Sequence, residues 1–100
     1  MKIVVNGKLK INKKVLLNRL GYHVHHDRHS NQTSYVRRLG GQQYPRWHIY
    51  VNNDSSDTIF NLHLDEKKTS YEGSPRHSGQ YRGEVVSKEA SRINDFLKVN

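Results

Sequence analysis

RWHIYVNNDSSDTIFNLHLD, residues 46–65, is the stretch that decides how this chain folds. Two runs of β-branched and aromatic residues flank the polar segment 52–57, which is the pattern of an antiparallel hairpin. Apolar and polar side chains alternate within each run. Because strand side chains repeat with period two, each strand has one apolar face and one polar face.

The register of this hairpin follows from the alternation. Pairing Ile49 with Phe60 and Trp47 with Leu62 brings the apolar side chains together, whereas a slip by one residue would expose them. The opposite face of the hairpin then carries polar and ionisable side chains, and we expect it to be the functional surface. These side chains are Arg46, His48, Tyr50, Asn61, His63 and Asp65.

A third strand is predicted over residues 34–39, followed by a permissive glycine pair at 40–41. A two-residue turn at the glycine pair would place Val36 on the apolar face and would add Tyr35 and Arg37 to the polar face. The expected sheet is therefore antiparallel and three-stranded. Its strands are 34–39, 46–51 and 58–65.

The remaining segments complete an α+β fold in one small domain, residues 1–100. Amphipathic periodicity predicts helices at 13–20 and 87–98, which would cover the apolar face of the sheet. The Asn-Gly pair within 1–11 predicts an N-terminal β-hairpin. Residues 66–84 lack apolar periodicity and are predicted to form a long loop. The expected order is an N-terminal β-hairpin followed by α-β-β-β-α.

Composition favours a polyanionic partner. The chain has 17 Lys and Arg against nine Asp and Glu, a formal net charge of +8 and a sequence pI near 9.9. It has no cysteine, which excludes disulfides and thiolate metal sites. No apolar stretch is long enough for a signal region or a membrane span, so the expected location is the cytoplasm.

Binding of nucleic acid, with RNA preferred, is the leading hypothesis. Cations that contact phosphates beside rings that stack on bases are typical of single-stranded nucleic-acid grooves, and both the polar sheet face and the loop 66–84 have this composition. The candidate contacts are Tyr35, Arg37, Arg46, Tyr50, Lys67, Lys68, Tyr71, Arg76 and Arg82.

The alternative is a histidine-based phosphodiesterase or ribonuclease, or a His-ligated metal protein, that uses His48 and His63. His48 and His63 lie on neighbouring predicted strands, where one imidazole could accept a 2′-hydroxyl proton while the other protonates the leaving oxygen. The fragment Asp65-Glu66-Lys67 also fits the acid-x-Lys pattern of metal-dependent nucleases.

Metal binding and protein binding are further alternatives. No cofactor is expected, but a divalent transition metal such as zinc could be held by the histidine-rich segment. Its candidate ligands are His23, His25, His26 and His29. The favoured interpretation is that these histidines belong to a polar loop, where they are solvated or contact phosphates. In a third hypothesis, the basic surface docks an acidic protein partner.

The predicted order of helix, three strands and helix, with a basic surface, resembles double-stranded RNA-binding domains and small histidine-dependent mRNA interferase toxins. The resemblance is one of topology over about residues 13–98. Val85-Val86-Ser87-Lys88 stands where the first family has a run of lysines, and Arg28-His29-Ser30 is the nearest approach to the Gly-Ser-His of the second. It therefore implies no site residue.

Overall fold

A computed structural model of the chain is an α+β fold, and it describes residues 1–5, 11–27, 32–54, 56–66 and 78–99. Within these ranges one antiparallel sheet has five strands in the order β1-β5-β4-β3-β2. In chain order the elements are β1 (Lys2–Val5), α1 (Lys13–Arg19), β2 (His23–Asp27), β3 (Gln32–Arg38), β4 (Arg46–Asp54), β5 (Asp57–Asp65) and α2 (Ser78–Val99).

The prediction of a three-stranded sheet is wrong, because β1 and β2 flank the three expected strands. β1 pairs with β5, with Ile3 opposite Phe60, and is therefore an edge strand of the main sheet. The predicted Asn-Gly turn of a separate N-terminal hairpin lies outside the described residues. β2 pairs with β3 along the segment whose histidines suggested a loop. β2 has Val24 as its one apolar residue among four polar ones, so its alternation is too short to be a strong strand signal.

The hairpin of β4 and β5 has the predicted faces but a different register. Ile49 lies opposite Leu62 and Trp47 opposite Leu64, which is a shift of two residues from the predicted pairing. A shift of two leaves every side chain on its predicted face, since the strand period is two. The strands also continue into the predicted turn 52–57, because β4 ends at residue 54 and β5 begins at residue 57.

The predicted orientation of β3 is wrong by one residue. Tyr35 lies opposite Ile49 and Arg37 opposite Trp47, whereas Val36 lies opposite His48. Tyr35 and Arg37 are therefore on the apolar side of the sheet. The cause is the connection from β3 to β4, which spans residues 39–45 instead of making a two-residue turn and so reverses which side chains of β3 meet each face.

The two helices differ in how well periodicity predicts them. Helix α1 ends one residue before the predicted end, and Asn12 caps it by accepting a hydrogen bond from the Lys14 backbone N–H at 2.8 Å. Helix α2 begins at residue 78, nine residues before the predicted 87, so that the last part of the predicted loop 66–84 is helical. Its apolar stripe begins only at Val85, and periodicity therefore could not detect the first two turns. Residues 67–77 lie outside the described residues.

Both helices cover the same face of the sheet, called the covered face below. Leu16 and Leu17 of α1 and Ile93 of α2 are buried in one cluster with Trp47 and Ile49. Their exposed fractions are 2% or less, as expected of a closely packed interior. The opposite face of the sheet contributes none of the hydrophobic residues of this cluster.

A buried carboxylate, Glu89 of α2, joins the helices to the sheet. It accepts hydrogen bonds from the Tyr22 hydroxyl at 2.5 Å, from Arg37 Nη2 at 3.0 Å and from Arg92 Nε and Nη2 at 2.9 Å each. Arg92 Nη2 also donates to the carbonyl oxygen of Leu20, at the end of α1, at 2.8 Å. The cluster thus connects α2 with β3, with the residue before β2 and with α1.

The environment of Glu89 favours its ionised form. Burial opposes ionisation, but the hydrogen bonds from Arg92 and Tyr22 and the charges of Arg37 and Arg92 outweigh burial, and the pKa of Glu89 lies below its ordinary 4.5. Burial, followed by the hydrogen bond to Glu89, raises the pKa of the Tyr22 hydroxyl, which therefore stays a donor.

Replacing Glu89 with glutamine should lower the free energy of unfolding by about 2 kcal/mol near neutral pH, because Arg37 and Arg92 lose their buried anion while keeping some contact with water. A carboxyl with a lowered folded pKa contributes stability above its unfolded pKa and loses it as pH falls through the folded value. The difference between wild type and Glu89→Gln should therefore be constant at neutral pH and shrink below pH 4.5. Urea unfolding followed by Trp47 fluorescence measures both effects.

Glu84→Gln is the matched control, since Glu84 is an exposed carboxylate on the same helix. We expect it to change the free energy of unfolding by less than about 0.5 kcal/mol at every pH. Equal effects of the two substitutions would contradict the assignment of Glu89 as the residue that joins the layers.

Candidate nucleic-acid interface

The face of the sheet that α1 and α2 do not cover is called the open face. Strand alternation and the observed registers define the residues whose side chains share it. They include Lys2, His23, His25, Ser34, Val36, Arg38, Arg46, His48, Tyr50, Asn61, His63 and Asp65. The open face is therefore rich in imidazole rings and cations. Its apolar residues include Val36 on β3 and the paired Val4 and Ile59 on β1 and β5.

His48 lies at the centre of the open face and is held on both sides. Its Nε2 lies 2.7 Å from Ser34 Oγ, and its Nδ1 lies 2.8 Å from Asp65 Oδ2. Ser34 Oγ is also 3.2 Å from the carbonyl oxygen of His25. The contacts run from β2 through β3 and β4 to β5, so that one ring fixes the positions of side chains on neighbouring strands.

The order Ser34, His48, Asp65 has the atom pattern of a serine nucleophile with its base and orienting carboxylate. Ser34, however, is 0% exposed, and a carbonyl substrate cannot reach its Oγ in this arrangement. A buried polar group must be hydrogen-bonded to avoid a desolvation cost, and these bonds satisfy that need for Ser34 and His48. We therefore interpret the three residues as an orienting network.

His48 and His63 are directly opposite each other on β4 and β5. The sequence predicted that they share a face on neighbouring strands, but the predicted register would have placed Asn61 opposite His48. The two rings differ in their surroundings. His48 is 8% exposed and uses both ring nitrogens within the protein, whereas His63 is exposed. A general base must reach the proton that it abstracts, and both ring nitrogens of His48 are already in contact with Ser34 and Asp65.

Aromatic rings form a continuous patch on the open face. The centroid of His48 lies 4.5 Å from that of Tyr50 with the rings tilted by 31°, and 6.0 Å from that of His25 in an edge arrangement. Tyr50 in turn lies 6.0 Å from His63, also edge to face. These are distances at which rings attract one another. The half-buried rings of His25 and Tyr50 and the exposed ring of His63 face outward from this patch.

Cations surround the ring patch. Lys2 and Arg38 are exposed on β1 and β3. The Arg46 guanidinium lies 4.7 Å from the centroid of the Tyr44 ring, and its Nε lies 3.6 Å from Asp65 Oδ2. Asp65 thus contacts both Arg46 and His48, which links the cations to the rings.

The structure distributes the predicted nucleic-acid contacts over different surfaces. Arg46 and Tyr50 lie on the open face as expected, whereas Tyr35 and Arg37 lie on the covered face, where Tyr35 is buried and Arg37 bonds to Glu89. Arg82 belongs to α2. The other candidates lie outside the described residues, and they are Lys67, Lys68, Tyr71 and Arg76.

The predicted metal ligands do not share one surface. His23 and His25 point to the open face and His26 to the opposite side of β2, since strand side chains alternate. His29 lies outside the described residues. Within the described ranges, no three His, Asp or Glu side chains are grouped so that they could hold a metal ion.

Sequence reasoning missed His25, Ser34, Arg38 and Lys2 as parts of the open face. The alternation of His23 and His25 with Val24 was a strand signal for β2, but the dense histidines suggested a loop instead. Ser34 and Arg38 were missed because the predicted orientation of β3 was wrong. Lys2 was missed because β1 was assigned to a separate hairpin.

A cavity of about 540 Å³ lies beyond the end of β1, between β5 and α2. Its lining includes Met1, His63, Asp65, Val86 and Ser87. The cavity therefore adjoins His63 and Asp65 of the open face.

Comparison with known proteins gives no relative for the chain, since no protein-family model, curated protein or solved structure matches it. Among the described residues, neither helix is long and apolar enough to cross a membrane. We therefore infer the function from the geometry of the open face.

Replacing Ser34 with alanine should leave His48 Nε2 buried without its partner and lower the free energy of unfolding by about 1–3 kcal/mol. Ser56→Ala is the control, because Ser56 is an exposed serine at the turn between β4 and β5. Urea unfolding of both variants measures the difference. If Ser34→Ala were no less stable than Ser56→Ala, the orienting role of the network would be excluded.

Proposed function

We propose that this protein binds single-stranded nucleic acid, with RNA as the preferred ligand, on the open face of its sheet. The observation that carries the proposal is the ring patch of His25, His48, Tyr50 and His63 on a sheet face that neither helix covers. Aromatic rings on an exposed sheet are a recurrent platform for unpaired bases.

Stacking requires rings that are accessible and held in place. Tyr50 packs against His48, which is itself fixed by Ser34 and Asp65, and so the Tyr50 ring has a defined support on one side. His63 extends the patch onto β5. A base that stacks on a ring already held in position loses less conformational entropy on binding than one that must order a mobile ring.

The charge of the open face is complementary to a phosphate backbone. Lys2, Arg38 and Arg46 lie on it, and the chain as a whole has a formal net charge of +8. Asp65 is a negative charge on the same face, but its carboxylate contacts His48 and Arg46. Cations on the same face as the rings would contact phosphates while the bases stack, which is the division of roles found in single-strand binding.

An unpaired strand fits this face better than a duplex. Bases within a duplex are stacked on each other and expose only their edges in the grooves, so the rings of the patch have no base face to stack on in a duplex. In single strands the bases can turn outward and lie on aromatic side chains. The preference for RNA over DNA remains the sequence-based expectation, to be tested directly with matched oligonucleotides.

The phosphodiesterase alternative receives no comparable support, because both ring nitrogens of His48 are used within the protein. Docking of an acidic protein depends on charge alone and would not require the ring patch. Substitutions of the rings therefore separate nucleic-acid binding from protein docking.

Replacing Tyr50 with leucine should weaken binding of a single-stranded RNA by about tenfold or more, because stacking contributes on the order of 1–3 kcal/mol per base. Tyr50→Phe keeps the ring and should bind within about threefold of wild type. Fluorescence anisotropy with a labelled single-stranded RNA, its DNA equivalent and an RNA duplex measures the affinities. Binding should also weaken steeply as salt rises, because phosphate contacts release counterions.

Equal binding by Tyr50→Leu and Tyr50→Phe would contradict the proposal, as would undetectable binding of wild type to every single strand. Equal affinity of wild type for duplex and single-stranded RNA would contradict the stacking geometry. Retention of an acidic protein by wild type and Tyr50→Leu alike, without nucleic-acid binding, would favour the protein-docking alternative.

A further inference from the structure

We infer that Arg38 and Arg46 act as a pair that binds one phosphate group of the bound strand. The inference rests on the proposed function and assigns its phosphate subsite. The two residues are direct partners in the register of β3 and β4, and both side chains belong to the open face. They lie at the end of the sheet where β4 begins and β3 ends.

Two like charges in this position repel each other. Directly opposed residues of an antiparallel pair have their Cβ atoms about 5 Å apart, and like charges there destabilise the sheet. An anion between the two guanidinium groups would convert the repulsion into two attractions. Arginine suits this role because its planar group donates two parallel hydrogen bonds to phosphate oxygens.

The surroundings of Arg46 hold its guanidinium before any ligand arrives. The Tyr44 ring lies 4.7 Å away, and Asp65 Oδ2 lies 3.6 Å from Nε. The Arg46 side chain is only 12% exposed, and its Nε is buried with no hydrogen-bond partner among the described residues. Because Nε is buried beside Asp65, an approaching phosphate would be bound by the terminal nitrogens of the guanidinium group through charge-assisted hydrogen bonds.

Arg38 supplies the second half of the pair from a different environment. It is exposed, while Arg46 is held by its neighbours, so Arg38 can adjust to a phosphate that Arg46 positions. Asp65 contacts both Arg46 and His48 and thereby fixes the distance between the pair and the ring patch. Arg46 and His48 are two residues apart on one strand, which is about 7 Å.

This spacing relates the phosphate to the bases. A phosphate bound by the pair would lie level with Arg46. That position is two residues along β4 from His48, which is opposite His63, and four residues from Tyr50. The base next to that phosphate could then reach the rings while the phosphate stays on the arginines. The phosphate could be an internal diester or a terminal monoester, since both present the oxygens that guanidinium groups recognise.

The test combines changes in the protein with changes in the ligand. Affinities of wild type, Arg38→Gln, Arg46→Gln and the double variant are measured by anisotropy with a short single-stranded oligonucleotide. In successive copies of the oligonucleotide one linkage is replaced by a neutral methylphosphonate, and further copies carry a phosphate at the 5′ or the 3′ end. Arg19→Gln is the control, because it removes the same charge from an exposed position on α1, the helix on the other side of the sheet.

We expect each single variant to bind about tenfold more weakly than wild type and Arg19→Gln to bind within about threefold. The loss of affinity in the double variant should be smaller than the product of the two single losses, since both arginines share one phosphate. Neutralising that phosphate, or removing it if it is terminal, should weaken binding by wild type about tenfold and leave binding by the double variant unchanged. The sensitive position identifies the phosphate as internal or terminal.

The inference is overturned if the double variant binds as Arg19→Gln does, or if no single phosphate loses its effect in the double variant. If the phosphate subsite is overturned in this way but Tyr50→Leu still loses binding in the same assay, the proposed function is retained. If wild type binds none of the oligonucleotides, the proposed function and the subsite fail together. Thermal unfolding of each variant shows whether it is folded, and Arg38→Gln tests the pair by itself should Arg46→Gln fail to fold.

Discussion

The buried carboxylate of Glu89 determines which face of the sheet is left for a ligand. Because Tyr22, Arg37 and Arg92 all donate to it, α2 is held against the side of the sheet that carries the apolar residues of β4 and β5. An ionised carboxylate in such a position is stable only while its donors surround it. The helices are therefore confined to one layer, and the side chains that alternate with the core residues remain on the open face.

On the open face, His48 is the buried polar residue that holds neighbouring side chains in place. Its bonds to Ser34 and Asp65 cross from β3 to β5 and keep the rings and the cations at fixed separations. The same bonds that make His48 unsuited to proton transfer make it suited to supporting the Tyr50 ring. The polar network around Glu89 thus holds the helices against the covered face. The network around His48 holds the side chains of the open face in place.

The features of the fold that the sequence predicted are those that depend on local periodicity. The alternation in residues 46–65 predicted both faces of the central hairpin, and helical spacing predicted α1 and the later turns of α2. Properties that depend on long-range pairing were not predictable. Whether Tyr35 or Val36 faces the core depends on the shape of the connection 39–45, and the partner of β1 lies almost sixty residues away. The contacts of His48 run diagonally between strands, so no spacing along the chain indicates them.

The most direct test of the open face as the binding surface is nuclear magnetic resonance of the histidine rings in tag-free protein, during titration with a single-stranded RNA. His25 and His63 belong to the ring patch, whereas His26 lies on the other side of β2 and is an internal control. We predict that the ring signals of His25 and His63 shift in proportion to bound RNA while those of His26 stay unchanged. Shifts at His26 without shifts at His25 and His63 would contradict this prediction.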